Sequence, residues 1–296
     1  MNNLPTVGFI GLGLMGQAMA TNLLNAGFPL HIYSRSKHRA KTLINDGASW
    51  HNSPAKMAKN LAADIIVICV TDGPALQDVV AGEQGLIKHL APNTLVIDMG
   101  TSPFDLTQSL AHQVTALGGQ YLDAPVSGGQ KGALEATLSV MVGGAEEPLT
   151  RAMPAFNAMA ARVTHVGPVG CGQLAKTANQ MIVGTTVGIV AEALFLAQQA
   201  GAEPERVRAA LMGGFADSKI LQIHGQRMID EAFSPGARAT TQLKDMQQAS
   251  SLAQQQEVDL PLLSRSTAQW QAMVEAGQGE LDQAGYLAWV KQLNQQ

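Results

Sequence analysis

Val7-Gly8-Phe9-Ile10-Gly11-Leu12-Gly13-Leu14-Met15-Gly16 is the stretch that decides the fold. A short apolar run leads directly into Gly-x-Gly-x-x-Gly, and a helix-like segment from Met15 to Ala26 follows, closed by Gly27. The glycine pattern alone is common. Between a strand and a helix it has a physical reading: a loop built to lie against a dinucleotide. Gly11 permits the tight turn, Gly13 lets the backbone approach a pyrophosphate, and Gly16 lets helix and strand pack closely. The helix start presents N–H groups and a positive dipole end to the phosphates. Gly11, Leu12, Gly13, Leu14, Met15 and Gly16 are therefore expected to bind a dinucleotide cofactor.

Outward from that loop, short apolar runs alternate with helix-like stretches. Leu30–Tyr33, Ile65–Val70 and Leu95–Asp98 read as strands, and the last two are nearly continuous apolar runs, as strands buried on both faces are. Tyr121-Leu122, Leu138–Val142 and Val163–Val166 read as later strands. The alternation predicts an α/β Rossmann-type N-terminal domain with a mainly parallel sheet. Beyond Gly170 the texture changes. Gln173 to Ala200 is rich in Ala, Leu, Ile and Val and reads as one long helix, with Gly184 and Gly188 allowing close approach of another helix. Further helical stretches follow at 204–212, 219–229, 241–256, 261–276 and 282–293, bounded by Gly, Pro or Asp. The expected organisation is a dinucleotide-binding domain over 1–166 and an all-α substrate and oligomerisation domain over 167–296, joined by the long interdomain helix.

Composition narrows the function classes. At 296 residues the chain has room for about two cores. Charged residues are only 14% and the net charge is −4, so a disordered chain and a general attraction to nucleic acid are both disfavoured. The two cysteines, Cys69 and Cys171, form no Cys-x-x-Cys, so no metal site is expected and both read as reduced structural thiols. The opening residues Met1–Thr6 carry no basic region ahead of an apolar run. The longest span candidate, Met181–Ala191, is shorter than the ~20 apolar residues a membrane requires. A cytoplasmic chain with no membrane partner is the expectation.

The end of the second strand should read the adenosine ribose. An acidic residue about 20 positions beyond the glycine loop would hold a 2′-hydroxyl. Here Ser34-Arg35-Ser36-Lys37 stands instead. No acid repels a 2′-phosphate, Arg35 can pair with one, and the Ser34 and Ser36 hydroxyls can donate to it. NADP(H) is therefore expected to be preferred, with NAD(H) possible. Which of Ser34, Arg35 and Ser36 reaches the phosphate is left open by the one-residue uncertainty at a strand end.

Two further segments carry chemistry. In Asp123-Ala124-Pro125-Val126-Ser127-Gly128-Gly129 the paired glycines leave backbone N–H groups uncovered, a cradle suited to a carboxylate, and Ser127 adds a hydroxyl. Lys176 lies near the start of the long helix in a run poor in charge, with Asn179 and Gln180 able to share its face. A lysine there opposes the positive end of the helix dipole, which favours a functional reason for it over a structural one.

These segments, with Lys244-Asp245, resemble the β-hydroxyacid dehydrogenase family, in family order and over nearly the whole chain. Ala210–His224 resembles the branch that reduces tartronate semialdehyde to glycerate. The resemblance implies that Lys176 is the catalytic acid/base and that Ser127, Gly128 and Gly129 hold a small carboxylate substrate with Asn179, Gln180 and Lys244. It implies that Val70, Thr71, Thr101 and Lys244 line the cofactor, and that the protein is a homodimer or homotetramer. The chain departs from the commoner family pattern at Gln180, Gly100, Ala237 and Thr240-Thr241-Gln242, around the expected pocket. Competing readings are reduction of another small semialdehyde or glyoxylate, an imine reductase, a non-catalytic dinucleotide-binding module, and a histidine-based dehydrogenase. Lys176 and the intact glycine loop speak against the second and third. Against the fourth, the sequence shows no evident His–Asp pairing, and His224 reads as a core or interface residue.

Overall fold

The structure is a computed structural model that describes residues 4–60, 64–234 and 236–295. Met1, Asn2 and Asn3 of the opening stretch lie outside the described residues. Two compact units meet at Lys176/Thr177. The first contains β1 (Val7–Ile10), α1 (Leu14–Asn25), β2 (Leu30–Tyr33), α2 (Lys41–Asn45), β3 (Ser49–Trp50), α3 (Pro54–Asn60), β4 (Ile65–Ile68), α4 (Gly73–Ala81) and β5 (Leu95–Asp98). It continues through α5 (Phe104–Ala116), β6 (Gln120–Asp123), β7 (Val126–Ser127), α6 (Gly129–Leu134), β8 (Leu138–Gly143), α7 (Glu146–Asn157) and β9 (Ala160–Gly167).

These strands form one sheet in the order β3-β2-β1-β4-β5-β6-β8-β7, with β9 beside β8. From β3 to β6 every pairing is parallel; β8 runs antiparallel to β6 and β7. The near-continuous apolar runs behave as a parallel sheet requires: β1, β4 and β5 are buried at every position. One face packs Phe9, Val67 and Ile97 with α1, and the other packs Ile10, Ile66, Ile68 and Val96 with α4 and α5. The strand order reverses between β1 and β4, and ligands in such sheets bind outside the carboxyl ends of the strands at that point.

The expected Rossmann-type unit is therefore present, with local differences. Val126-Ser127, read as part of a turn, is a two-residue strand whose Ser127 pairs with Ser139. The last strand is longer than Val163–Val166, running Ala160–Gly167 against β8.

The second unit is helical: most of α8 (Cys171–Gln199), then α9 (Pro204–Leu211), α10 (Lys219–Ile229), α11 (Ala239–Gln255), α12 (Pro261–Met273) and α13 (Tyr286–Leu293). Its core gathers Val187, Ala191, Leu194, Met246, Trp270 and Tyr286. Gly184 and Gly188 admit neighbours as expected. A Cβ on Gly184 would lie 2.5 Å from the Gln242 amide nitrogen and 2.7 Å from the Met246 sulfur, and one on Gly188 would lie 3.3 Å from the Tyr286 ring. At 29 residues α8 is long and apolar enough, by length and composition, to cross a membrane, so the shortness of Met181–Ala191 does not decide that question. Val187, Val190, Ala191 and Leu194 on α8 occupy the core of the helical unit.

Candidate active site

The glycine loop is built as a cradle. Gly11 follows β1 with φ +100°, and a Cβ there would sit 2.2 Å from the Cys69 carbonyl oxygen, so the exits of β1 and β4 close on each other only because residue 11 is glycine. A Cβ on Gly16 would lie 2.0 Å from the Gly11 carbonyl oxygen. Above Gly13, by contrast, a Cβ would meet nothing within 4 Å. Gly13 is also the N-cap of α1 and supplies no side-chain acceptor to the helix start. Open space over the one glycine expected to approach a pyrophosphate, beside a helix N-terminus, fits a dinucleotide. Leu12 is buried beneath the loop, Met15 is partly buried, and Leu14 is 62% exposed beside it. Val70 lies against the Gly11 turn, its Cγ1 3.2 Å from a Gly11 Cβ position.

At the end of β2, Ser34 is buried, Ser36 half-buried and Arg35 exposed. Basic residues continue from Arg35 through Lys37, His38 and Arg39 with no acid among them, and the Lys37 ammonium stands 5.8 Å from the centre of the Trp50 ring. Thr71 is exposed and donates to Asp72, which caps α4 by accepting from the Ala75 N–H at 2.9 Å.

Lys176 is 8% exposed, and its Nζ donates to the Val126 carbonyl oxygen at 2.9 Å. That bond places the ammonium beside the strand that ends at Ser127. Gly128 and Gly129 follow, exposed, with φ +133° and +61°. A side chain would be strained at either position, so the turn keeps its backbone uncovered. Lys176, Ser127 and the two glycines thus converge within the first unit. Thr101, half-buried, follows Gly100 on the segment leaving β5.

Asn179, Gln180 and Lys244 belong to the helical unit. Asn179 donates to the Gln180 side-chain oxygen at 2.7 Å. Gln180 is 7% exposed and donates to Asp245 at 2.6 Å, and the Lys244 ammonium stands 3.2 Å from the other Asp245 oxygen. Gln180 therefore faces a buried polar network that also includes Gln242 and Gln283.

Three groupings escaped the sequence. Gln173 bonds to the segment 100–102 from the first turn of α8, and Asp98 and Asp123 end adjacent strands fully buried. The third corrects an expectation. His224 Nδ1 lies 3.6 Å from Asp282, so a His–Asp pair does exist, joined by Arg227 at 3.2 Å. Burial alone would raise the Asp282 carboxyl. The His224 ring beside it and hydrogen bonds from the N–H groups of Ala237, Ala284 and Gly236 overcome it and hold the group at about 2. The cysteines are free thiols, and burial with the nearby Asp98 pushes the Cys69 thiol up to about 12, which keeps it un-ionised and inert.

Comparison with known proteins agrees with this geometry. Residues 6–167 match the NAD binding domain of 6-phosphogluconate dehydrogenase, and residues 170–290 match the family described as NAD-binding of NADP-dependent 3-hydroxyisobutyrate dehydrogenase. The chain is 43% identical to 2-hydroxy-3-oxopropionate reductase of Escherichia coli K12, covering 93% of this chain and 94% of that protein. Among solved structures, 3-hydroxyisobutyrate dehydrogenase of Mycobacterium tuberculosis with L-serine superposes with a TM-score of 0.89 at 27% identity, over 97% of this chain and 99% of that one. The protein Psf3 in complex with NADP+ and 2-OPP gives 0.86 at 26% identity, over 96% and 100%. Similarity that runs the length of both units, on a fold whose first loop is shaped for a dinucleotide, makes the chain a member of the NAD(P)-dependent β-hydroxyacid dehydrogenase family.

Proposed function

We propose that the chain interconverts tartronate semialdehyde and glycerate, with NADP(H) preferred and NAD(H) accepted. The observation that carries the reading is the buried Lys176 ammonium held 2.9 Å from the Val126 carbonyl, next to half-buried Ser127 and the exposed Gly128 and Gly129. A carboxylate bound by the Ser127 hydroxyl and the Gly128 and Gly129 N–H groups would bring the aldehyde of a three-carbon acid towards that ammonium. The glycine cradle would hold the pyrophosphate of the dinucleotide, and Val70, Thr71 and Thr101 would line its nicotinamide, which would supply the hydride in reduction and accept it in oxidation.

Lys176 does the proton work. Its ammonium donates to the carbonyl oxygen as the bond to carbon becomes single, and the neutral amine takes the proton back in the reverse direction. The same positive charge stabilises the alkoxide that develops in the transition state. Asn179, Gln180 and Lys244 are assigned to the substrate, and Lys244 also to the cofactor, on the family resemblance; of the two amides, the bond from Gln180 to buried Asp245 makes Asn179 the better candidate for direct contact. Preference for NADP(H) is supported by exposed Arg35 beside Ser34 and Ser36, with no acid in that segment. Assembly as a homodimer or homotetramer is supported by Ile182, Ile189 and Leu196, exposed apolar residues spaced by seven along α8.

The test is oxidation of NADPH and NADH by the purified protein with tartronate, methylmalonate and succinate semialdehydes, glyoxylate and a cyclic imine. The expected result is fastest turnover of tartronate semialdehyde with NADPH. Turnover confined to another semialdehyde or glyoxylate would replace the substrate and leave the chemistry; turnover of the imine alone would overturn both.

A further inference from the structure

Asp98 and Asp123 stand side by side in register at the ends of β5 and β6, and both are fully buried. Two carboxylates in that position need partners, since burying a charge without them is costly. Asp123 finds its partners at the start of α8. One oxygen accepts the Gly170 N–H at 2.7 Å and the other the Gln173 N–H at 2.8 Å. It thereby caps a helix from 50 positions away in the chain. Glycines make room for it: a Cβ on Gly143 would lie 2.4 Å from one carboxylate oxygen, and one on Gly172 would lie 2.8 Å from the other. Asp98 holds its own exit loop, accepting the Gly100 N–H at 2.9 Å and the Ser102 hydroxyl at 2.8 Å.

Gln173 links the two. Its backbone is bound to Asp123, while its side-chain oxygen accepts the Ser102 N–H at 3.1 Å and its amide donates to the Gly100 carbonyl at 3.0 Å. Lys176 lies three residues further along α8, on the same side of the helix. Its Nζ reaches Val126, three residues beyond Asp123. The first turn of α8 is thus fastened both to the segment carrying Thr101 and to the strand end that leads into Ser127.

We propose that Gln173 and Asp123 are positioning residues for Lys176. They lock the first turn of α8 to both segments and so fix where the Lys176 ammonium stands. The proposal rests on Lys176 being the acid/base, and the experiment separates the two. The full-length enzyme is assayed with tartronate semialdehyde and NADPH as Gln173→Met, Gln173→Asn and Asp123→Asn, each alone and combined with Lys176→Ala. NADPH affinity and thermal stability are measured alongside. In the wild-type background kcat is expected to fall on the order of tenfold to a hundredfold, the range that an ångström of misplacement produces, with little change in KM or NADPH affinity. In the Lys176→Ala background the same substitutions should change the residual rate by less than about twofold, because residues acting through one group are not additive. Equal fold-losses in both backgrounds, or a loss seen only as weakened NADPH binding, would overturn positioning while leaving Lys176 in place. Full turnover by Lys176→Ala itself would remove Lys176 and the proposal together. Should Asp123→Asn fail to fold, the two Gln173 variants, which keep the backbone bond to Asp123, carry the test.

Discussion

The three loop glycines do different work, and substitution should separate them. An alanine methyl at Gly16 would collide with the Gly11 carbonyl oxygen at 2.0 Å, a backbone atom that cannot swing away. Gly16→Ala should therefore cost about 3 kcal/mol of stability, read as a lower urea midpoint. At Gly13 the added methyl meets nothing within 4 Å and φ is −75°, so the fold should tolerate it. It would instead occupy the space assigned to the pyrophosphate. Gly13→Ala should keep the wild-type urea midpoint and weaken NADPH binding at least about tenfold in a titration. Equal stability losses in both variants would contradict the cradle. At the ribose end, Arg35→Asp exchanges a partner for a 2′-phosphate with a like charge. The NADPH/NADH ratio of kcat/KM should fall by on the order of tenfold or more, since a charge-assisted hydrogen bond contributes ~1.5–3 kcal/mol. An unchanged ratio would move phosphate recognition to Lys37 or Arg39.

Elements were legible in proportion to how local their causes are. β1, β4 and β5 could be read because strands buried on both faces must be apolar throughout. β3 and β7 could not, because two residues carry no periodicity. The start of α8 is set by Asp123, 50 positions away, and no local pattern announces that bond. The same distance hid Gln173, whose side chain bonds 71 positions back, and the pairing of His224 with Asp282. Asp282 also shows how one buried group sets a loop, since it accepts from the N–H groups of Gly236 and Ala237 just ahead of α11. Its carboxyl, about 3.8 when unfolded, is held at about 2 in the fold. A depressed acid stabilises above its unfolded value and loses that contribution as pH falls towards its folded one. Asp282→Asn should thus lower stability by about 2 kcal/mol at pH 7, with the gap from wild type closing between pH 4 and pH 2 in urea unfolding. A gap that stays constant over that range would show that the carboxylate charge plays no part.

At the scale of the whole molecule, the chain resolves into a sheet unit and a helical unit meeting at Lys176/Thr177, whereas composition placed the boundary after residue 166. The first turn of α8 counts with the sheet unit because Asp123 and the 100–102 segment hold it there. Most legible in the sequence were the short motifs themselves, the glycine loop, Ser127–Gly129 and Lys176, of which the structure brings Lys176 beside the strand end leading into Ser127. Least legible were the buried polar groups that hold those motifs, because each joins segments far apart in the chain. The central claim is that Lys176 is the proton donor of a semialdehyde reductase. The most direct test compares single-turnover hydride transfer from saturating NADPH to tartronate semialdehyde in wild type and Lys176→Ala, with NADPH affinity measured on both. The predicted result is unchanged NADPH binding and hydride transfer slower by on the order of a hundredfold or more. Hydride transfer at the wild-type rate in Lys176→Ala would contradict the account.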